Sequence, residues 1–203
     1  MSLPFVLQFR HPWQSPHPLL IQHQATLADP LRAALLHAGS LTDYLEQLWQ
    51  QPVVVRLEQQ QVATALAVSD SDDPVWSGYP LLDSSAGLLS RAAWLHVAGR
   101  DRLFASSQLA LAGLSQSLRD RIERGQQPLG TLFLEQAASV ARERLELALV
   151  TAPQLAQRLD QPAEQLFWCR RSLFYAGTAR ARIVEIFLPG FQDDRHLHPV
   201  TQR

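Results

Sequence analysis

Residues 166–190 read LFWCRRSLFYAGTARARIVEIFLPG, two apolar runs rich in aromatic and β-branched residues, the pattern of a closing antiparallel hairpin. In a strand, residues two apart share a face, so Glu185 lies beside Ile183 and Phe187 on an otherwise apolar side. The segment RAAWLHVAG at 91–99 repeats the anomaly with the opposite sign, since Arg91 shares its face with Ala93, Leu95 and Val97. Burying a charge is costly unless it is paired, and functional sites are where proteins tolerate that cost. Parity alone leaves two readings open: Arg91 and Glu185 pair with each other or end in solvent, or they belong to a site.

Working outward, RLFASSQLAL follows RAAWLHVAG across Gly99-Arg100-Asp101 as a second strand pair. The run PVVVRLEQQQVATALAV at 52–68 predicts a further strand pair turning near Glu58–Gln61, and ARERLELALVT at 141–151 alternates as a strand. Asp29-Pro30 opens a helix, LRAALLHAG, stopped by Gly39. Ser40 caps the next, which carries Tyr44, Leu45 and Leu48 to Pro52. LSQSLRDRIERG is a short helix ended by Gly125, and another begins at Pro128. The result is an α+β fold, a single antiparallel sheet of about six strands with helices on one side. The chain, 1–203, reads as one domain with an irregular arm over residues 1–28, a loop at SDSDDPVWSGYP, and a polar tail from 192 to 203.

Composition narrows the chemistry. All 18 cationic residues are arginine, so Schiff-base catalysis through lysine is excluded. The formal net charge is −1 and the arginines are dispersed, which gives no footprint for nucleic acid. Cys169 is the single cysteine, so no internal disulfide or multi-thiolate metal site can form. The N-terminus MSLPFVLQFRHPW lacks a signal-peptide pattern and no run is long enough to span a membrane, which predicts a cytoplasmic protein without membrane insertion. His196-x-His198 lies in the polar tail without a third ligand, the pair Asp72-Asp73 reads as a solvated turn, and Cys169 beside Trp168 as a buried structural thiol. Trp49, Trp76 and Trp94 read as core.

From Leu31 to Phe191 the chain resembles the chorismate pyruvate-lyases that make 4-hydroxybenzoate for ubiquinone. WCRRS and VEIFLP resemble the family's G-R-R-S and T-E-L-F-L-P blocks, QPLGTLF its P-L-G-R-Y-L-F, GSLTDYLEQ its D-S-M-T-x-x-F-E-Q, and RAAWLHVAG its R-E-I-L-L-C-A-D-G. The resemblance implies that Arg91 binds the ring carboxylate, that Glu185 meets the ring hydroxyl, and that backbone groups at Leu41 and Leu129 complete the ligand shell. It implies no metal or organic cofactor, a ligand enclosed beneath helical flaps, chorismate as substrate, and 4-hydroxybenzoate and pyruvate as products. A monomer is the default. Glu185 is expected to have its pKa raised by apolar surroundings and to assist removal of the neighbouring ring proton; a pericyclic route fits equally. Arg170 or Arg171 is a candidate for the substrate's second carboxylate, the other meeting solvent on the opposite strand face. Three departures touch the pocket's cover: RLFASSQL lacks the relative's arginine, Cys169 replaces a glycine, and the stretch from Ala141 to Gln165 is longer. Arg91 and Glu185 are then expected a ligand's length apart, with no salt bridge between them. The alternative is a non-catalytic aromatic-acid sensing module of related fold.

Overall fold

The computed structural model describes residues 3–63, 73–125, 127–135 and 140–191. Seven strands form one sheet: β1 (Gln8–Gln14), β2 (Val54–Ala63), β3 (Leu88–Val97), β4 (Arg100–Ala110), β5 (Ala141–Thr151), β6 (Leu166–Ala176) and β7 (Ala179–Phe187). Their order across the sheet is β1-β5-β6-β7-β4-β3-β2, and every neighbouring pair is antiparallel. Hairpins β3–β4 and β6–β7 lie where the sequence predicts them, and the long strand β5 closes onto β6.

Helices α1 (Pro16–Gln22), α2 (Asp29–Leu36) and α3 (Leu41–Trp49) pack over one face, with Leu19, Leu31, Leu35 and Leu45 buried against Leu103, Leu147 and Phe187. On the same face, α4 (Gln116–Glu123) and α5 (Leu129–Leu134) bury Leu118, Ile122, Leu132 and Phe133 against Leu109, Phe174 and Ile183. Ser40 caps α3 by accepting from the Asp43 N–H at 3.3 Å, as expected. The opposite face is covered by Phe5, Leu7, the segment around Val75, Trp76 and Tyr79, and the short helix α6 (Pro153–Arg158). Trp49, Trp76 and Trp94 are buried. No helix among the described residues is long and apolar enough to cross a membrane.

Two expectations are corrected. The arm over residues 1–28 is not irregular, because it supplies β1, which pairs with β5, and α1, which covers the core. QFRHPWQ hides its strand character because it lies at the sheet edge, where Pro12 and outward polar side chains are tolerated. The predicted turn at Glu58–Gln61 is continuous strand. Its polar run is also an edge feature: Glu58 accepts from Trp94 Nε1 at 2.9 Å and from Arg158, and Gln60 donates to the Glu123 carbonyl. Residues 64–72, including Asp72, and the tail with His196 and His198 lie outside the described residues. Asp73 accepts from the Val75 N–H at 2.9 Å and so organises a turn.

Candidate active site

Register fixes which side chains rise from the helix-covered face. Arg91 stands opposite Ser107, which stands opposite Ile183; one step along, Ala93, Ala105, Glu185 and Arg170 form a parallel row across four strands. Arg91 and Glu185 are therefore two strands and two residues apart, about 12 Å between backbones from strand spacing and rise. Both line one partly open cavity of about 540 Å³, a volume that includes the open space at its mouth. Its floor is the sheet face, and its cover is formed by Leu41 and Thr42 at the start of α3 and by Pro128, Leu129 and Gly130 at the start of α5. The two helix starts touch, since a Cβ on Gly130 would lie 2.5 Å from Ser40 Oγ, so only glycine lets α5 approach α3 this closely.

Arg91 is 3% exposed, yet no carboxylate pairs with it among the described residues. Its Nη2 donates to the carbonyls of Gly125 at 2.9 Å and Gln127 at 3.0 Å, in the turn between α4 and α5. Nε and Nη1 are buried without a partner. Desolvation pulls its pKa down to about 10, still leaving it cationic at neutral pH. A buried cation with two unpartnered donors in a cavity lining is chemically suited to take an anion.

Glu185, also 3% exposed, makes no pair with Arg91 and is held instead by two other arginines. Arg142 Nη2 donates to Oε1 at 3.0 Å and Nη1 to Oε2 at 3.3 Å, while Arg170 Nε donates to Oε2. Burial pushes the Glu185 pKa up, but Arg142 and Arg170 outweigh burial and hold it below the ordinary carboxylate range. The expectation of a raised pKa is thereby overturned, and the physical reason is the pair of guanidinium groups that parity in its own strand does not reveal.

Those two arginines also tie down the cover. Arg142 Nε donates to the Gly39 carbonyl at 3.0 Å and Nη1 to Ser172 Oγ at 2.7 Å, and Arg170 Nη1 donates to Ala34 O and to His37 O at 3.1 Å. Arg170 is 0% exposed and lies beside Glu185, under the end of α2 and not on the cavity wall. Of Arg170 and Arg171, one of which was expected to meet solvent, neither does: Arg171 is buried on the other face, where it pairs with Glu146, donates to Val75 O at 2.7 Å and lies over the rings of Trp13 and Tyr79. Cys169 is buried in the same opposite core, and its thiol pKa is pushed well up by burial.

Arg142 is the site residue that sequence parity misses. It stands opposite Phe174 on the cavity face, whereas Glu146 stands opposite Arg171 on the other. Residues 142 and 146 would share a face in a regular strand, but a bulge between Glu143 and Glu146, with Arg144 at φ 49°, inserts one residue and reverses the parity. The only signal is the charge-rich start of ARERLELALVT, which does not locate a bulge. Among the described residues no group of three His, Cys, Asp or Glu side chains could hold a metal ion.

A partly open, arginine-lined cavity on one face of an antiparallel sheet has the charge to suit a small carboxylate-bearing ligand. Residues 35–194 match the family described as Rv2949c-like chorismate pyruvate-lyase. A relative from Shewanella sp. (strain W3-18-1), named "Probable chorismate pyruvate-lyase", is 32% identical over 79% of this chain and 81% of its own. One of the same name from Psychromonas ingrahamii is 29% identical over 81% and 85%. The chain belongs to the chorismate pyruvate-lyase family. Among solved structures, the effector domain of PhnF from Mycobacterium smegmatis is similar with a TM-score of 0.54 at 18% identity, over 76% of this chain and 91% of that one, a likeness of fold.

Proposed function

We infer that the protein is a chorismate pyruvate-lyase that uses no cofactor, eliminating pyruvate from chorismate to leave 4-hydroxybenzoate, a precursor of ubiquinone. The observation that carries this reading is the pairing pattern of Arg91 and Glu185: both face one cavity, each is buried, and Arg91 keeps two donors free instead of closing on Glu185. Arg91 holds the ring carboxylate, Glu185 accepts from the ring hydroxyl, and the backbone at Leu41 and Leu129 closes the shell. The protein acts in the cytoplasm as a monomer.

The chemistry asks little of the side chains beyond placement. The ether bond between the ring and the enolpyruvyl oxygen breaks, the hydrogen on the hydroxyl-bearing ring carbon leaves, and the ring closes its aromatic sextet. The enolpyruvyl methylene gains a hydrogen and becomes the methyl of pyruvate, so the two products account for every atom of the substrate. A carboxylate clamped by two guanidinium groups is a weak base. That favours transfer of the ring hydrogen within the substrate, with Glu185 as a fixed acceptor and the site contributing orientation and charge.

The second reading is a non-catalytic sensor of an aromatic acid, supported by the fold shared with the PhnF effector domain. Incubating purified protein with chorismate separates the two, since a lyase forms products and a sensor only binds.

A further inference from the structure

We propose that Tyr79, on the face of the sheet away from the cavity, is a positioning residue for Glu185: its hydroxyl fixes the bulge in β5 and thereby the face on which Arg142 emerges. For any effect on turnover the proposal rests on the lyase reading.

The bulge has little support from the sheet. Arg144 and Leu145 together oppose Ser172, between the pairing of Glu143 with Leu173 and that of Glu146 with Arg171. Strand β1 flanks β5 only as far as Leu147, which pairs with Gln14, so the bulge lies just past the end of that strand. Arg144 is an exposed non-glycine residue at φ 49°, in the costly left-handed region, so its own preference does not place the bulge there. Were the extra residue taken up nearer the start of β5, Glu143 would stand opposite Phe174 and Arg142 would turn to the other face, because a one-residue slip reverses every side chain. A second carboxylate would then rise on the side where Arg142 now clamps Glu185.

Tyr79 opposes that slip. Its Oη donates to the Arg144 carbonyl at 2.8 Å, a bond to the bulge residue itself. The phenol is buried, and burial keeps it protonated as a donor. The ring is held in turn by Arg171, whose guanidinium carbon lies 4.5 Å from its centroid and 4.7 Å from that of Trp13. Arg171 also donates to Val75 O at 2.7 Å and Ser77 O at 3.2 Å in the segment leading to Tyr79, and pairs with Glu146 at the end of the bulge. Contacts on one face of the sheet therefore set the charge on the other. The groups that face Glu185 are Arg142 from β5 and Arg170 from β6, with His37 at the end of α2 and Arg91 across the cavity. Burial raises the Glu185 pKa and the first two arginines hold it down, so losing Arg142 leaves burial opposed by Arg170.

The test is Tyr79→Phe, which removes one hydroxyl and keeps the ring on Arg171. In nitrogen-15-labelled parent protein the Arg142 Nε proton, buried in its bond to the Gly39 carbonyl, should exchange slowly with solvent. In Tyr79→Phe it should exchange at least about tenfold faster, while the Arg171 Nε proton, bonded to Glu146, changes less than about threefold. Adding Arg144→Gly, which removes the left-handed cost and favours the bulge at this residue, should restore slow exchange. The acid limb of kcat/KM should rise by about one pH unit or more in Tyr79→Phe and return in the double variant. Unchanged exchange at Arg142, equal acceleration at Arg142 and Arg171, an unmoved acid limb, or failure of Arg144→Gly to rescue would each overturn the proposal. So would a Tyr79→Phe variant that does not fold, because a residue the whole fold requires is not placing one arginine. If no pyruvate forms from chorismate, the lyase reading fails while the exchange at Arg142 still decides the role of Tyr79.

Discussion

Arg91 and Glu185 rise from the same face of the sheet, two strands apart, and each is held by something other than its opposite charge: Arg91, through Nη2 alone, by the carbonyls of Gly125 and Gln127, Glu185 by Arg142 and Arg170. Two buried charges of opposite sign that share a cavity and do not pair leave space for a ligand with complementary ends. Most of the consequences below follow from that separation.

On the proposed function, Arg91 serves binding at a cost in folding, since a buried cation without an acidic partner loses its hydration uncompensated. Arg91→Met should abolish stabilisation by 4-hydroxybenzoate in thermal melts. The ligand-free variant should stay within about 1 kcal/mol of the parent in denaturant unfolding, or exceed it. A loss of about 3 kcal/mol without ligand would mean that its bonds to the α4–α5 turn dominate instead.

Glu185→Gln leaves Arg142 and Arg170 buried without an anion and should destabilise the fold by about 3 kcal/mol or more. Replacing all three charges together, as Arg142→Met, Arg170→Met and Glu185→Leu, should recover most of that stability and show no turnover. Urea unfolding curves and pyruvate release measure the two effects separately.

The pH dependence follows from the sign of the Glu185 shift. Because its pKa is depressed in the folded state, the carboxylate stays ionised as pH falls through the ordinary glutamate range. Its contribution to stability is present above that range and is lost only as pH falls below it. The acid limb of kcat/KM from this group should therefore lie below the ordinary carboxylate range, with a flat profile through neutrality. A limb with its midpoint near neutral pH that disappears in Glu185→Gln would contradict this.

Gly130→Ala places a methyl group 2.5 Å from Ser40 Oγ, so either that hydroxyl turns away and gives up its cap on the Asp43 N–H or α5 separates from α3. We expect a loss of about 1–3 kcal/mol in stability and weaker binding of 4-hydroxybenzoate, read by melting and by titration. Tight binding in the variant would show that the contact between the two helix starts does not shape the cover.

Cys169 should be inert. Its thiol is buried and its pKa is pushed up by burial, so an aromatic disulfide reagent should leave it unmodified in native buffer and label it only on unfolding.

How much of this was legible in the sequence depended on regularity. Arg91 and Glu185 sit in unbulged stretches of apolar strands, so alternation alone exposed them as misfits. Their separation needed register, which no single strand encodes. Arg142 was invisible because one inserted residue near Arg144 reverses the face of everything before it. The environment of Glu185 was misread for the same reason: its apolar neighbours are local, whereas the guanidinium groups that set its charge come from β5 and β6. The strands β1 and β2 lie at the sheet edges, where polar residues and proline are allowed, so their composition imitated an arm and a turn.

The central claim is tested most directly by quantifying 4-hydroxybenzoate and pyruvate together after purified protein, freed of metal by a chelator, is mixed with chorismate. The account predicts catalytic turnover with the two products in equal amounts. Folded protein that is stabilised by 4-hydroxybenzoate but leaves chorismate intact would contradict it, and would mark the cavity as a sensor's binding site.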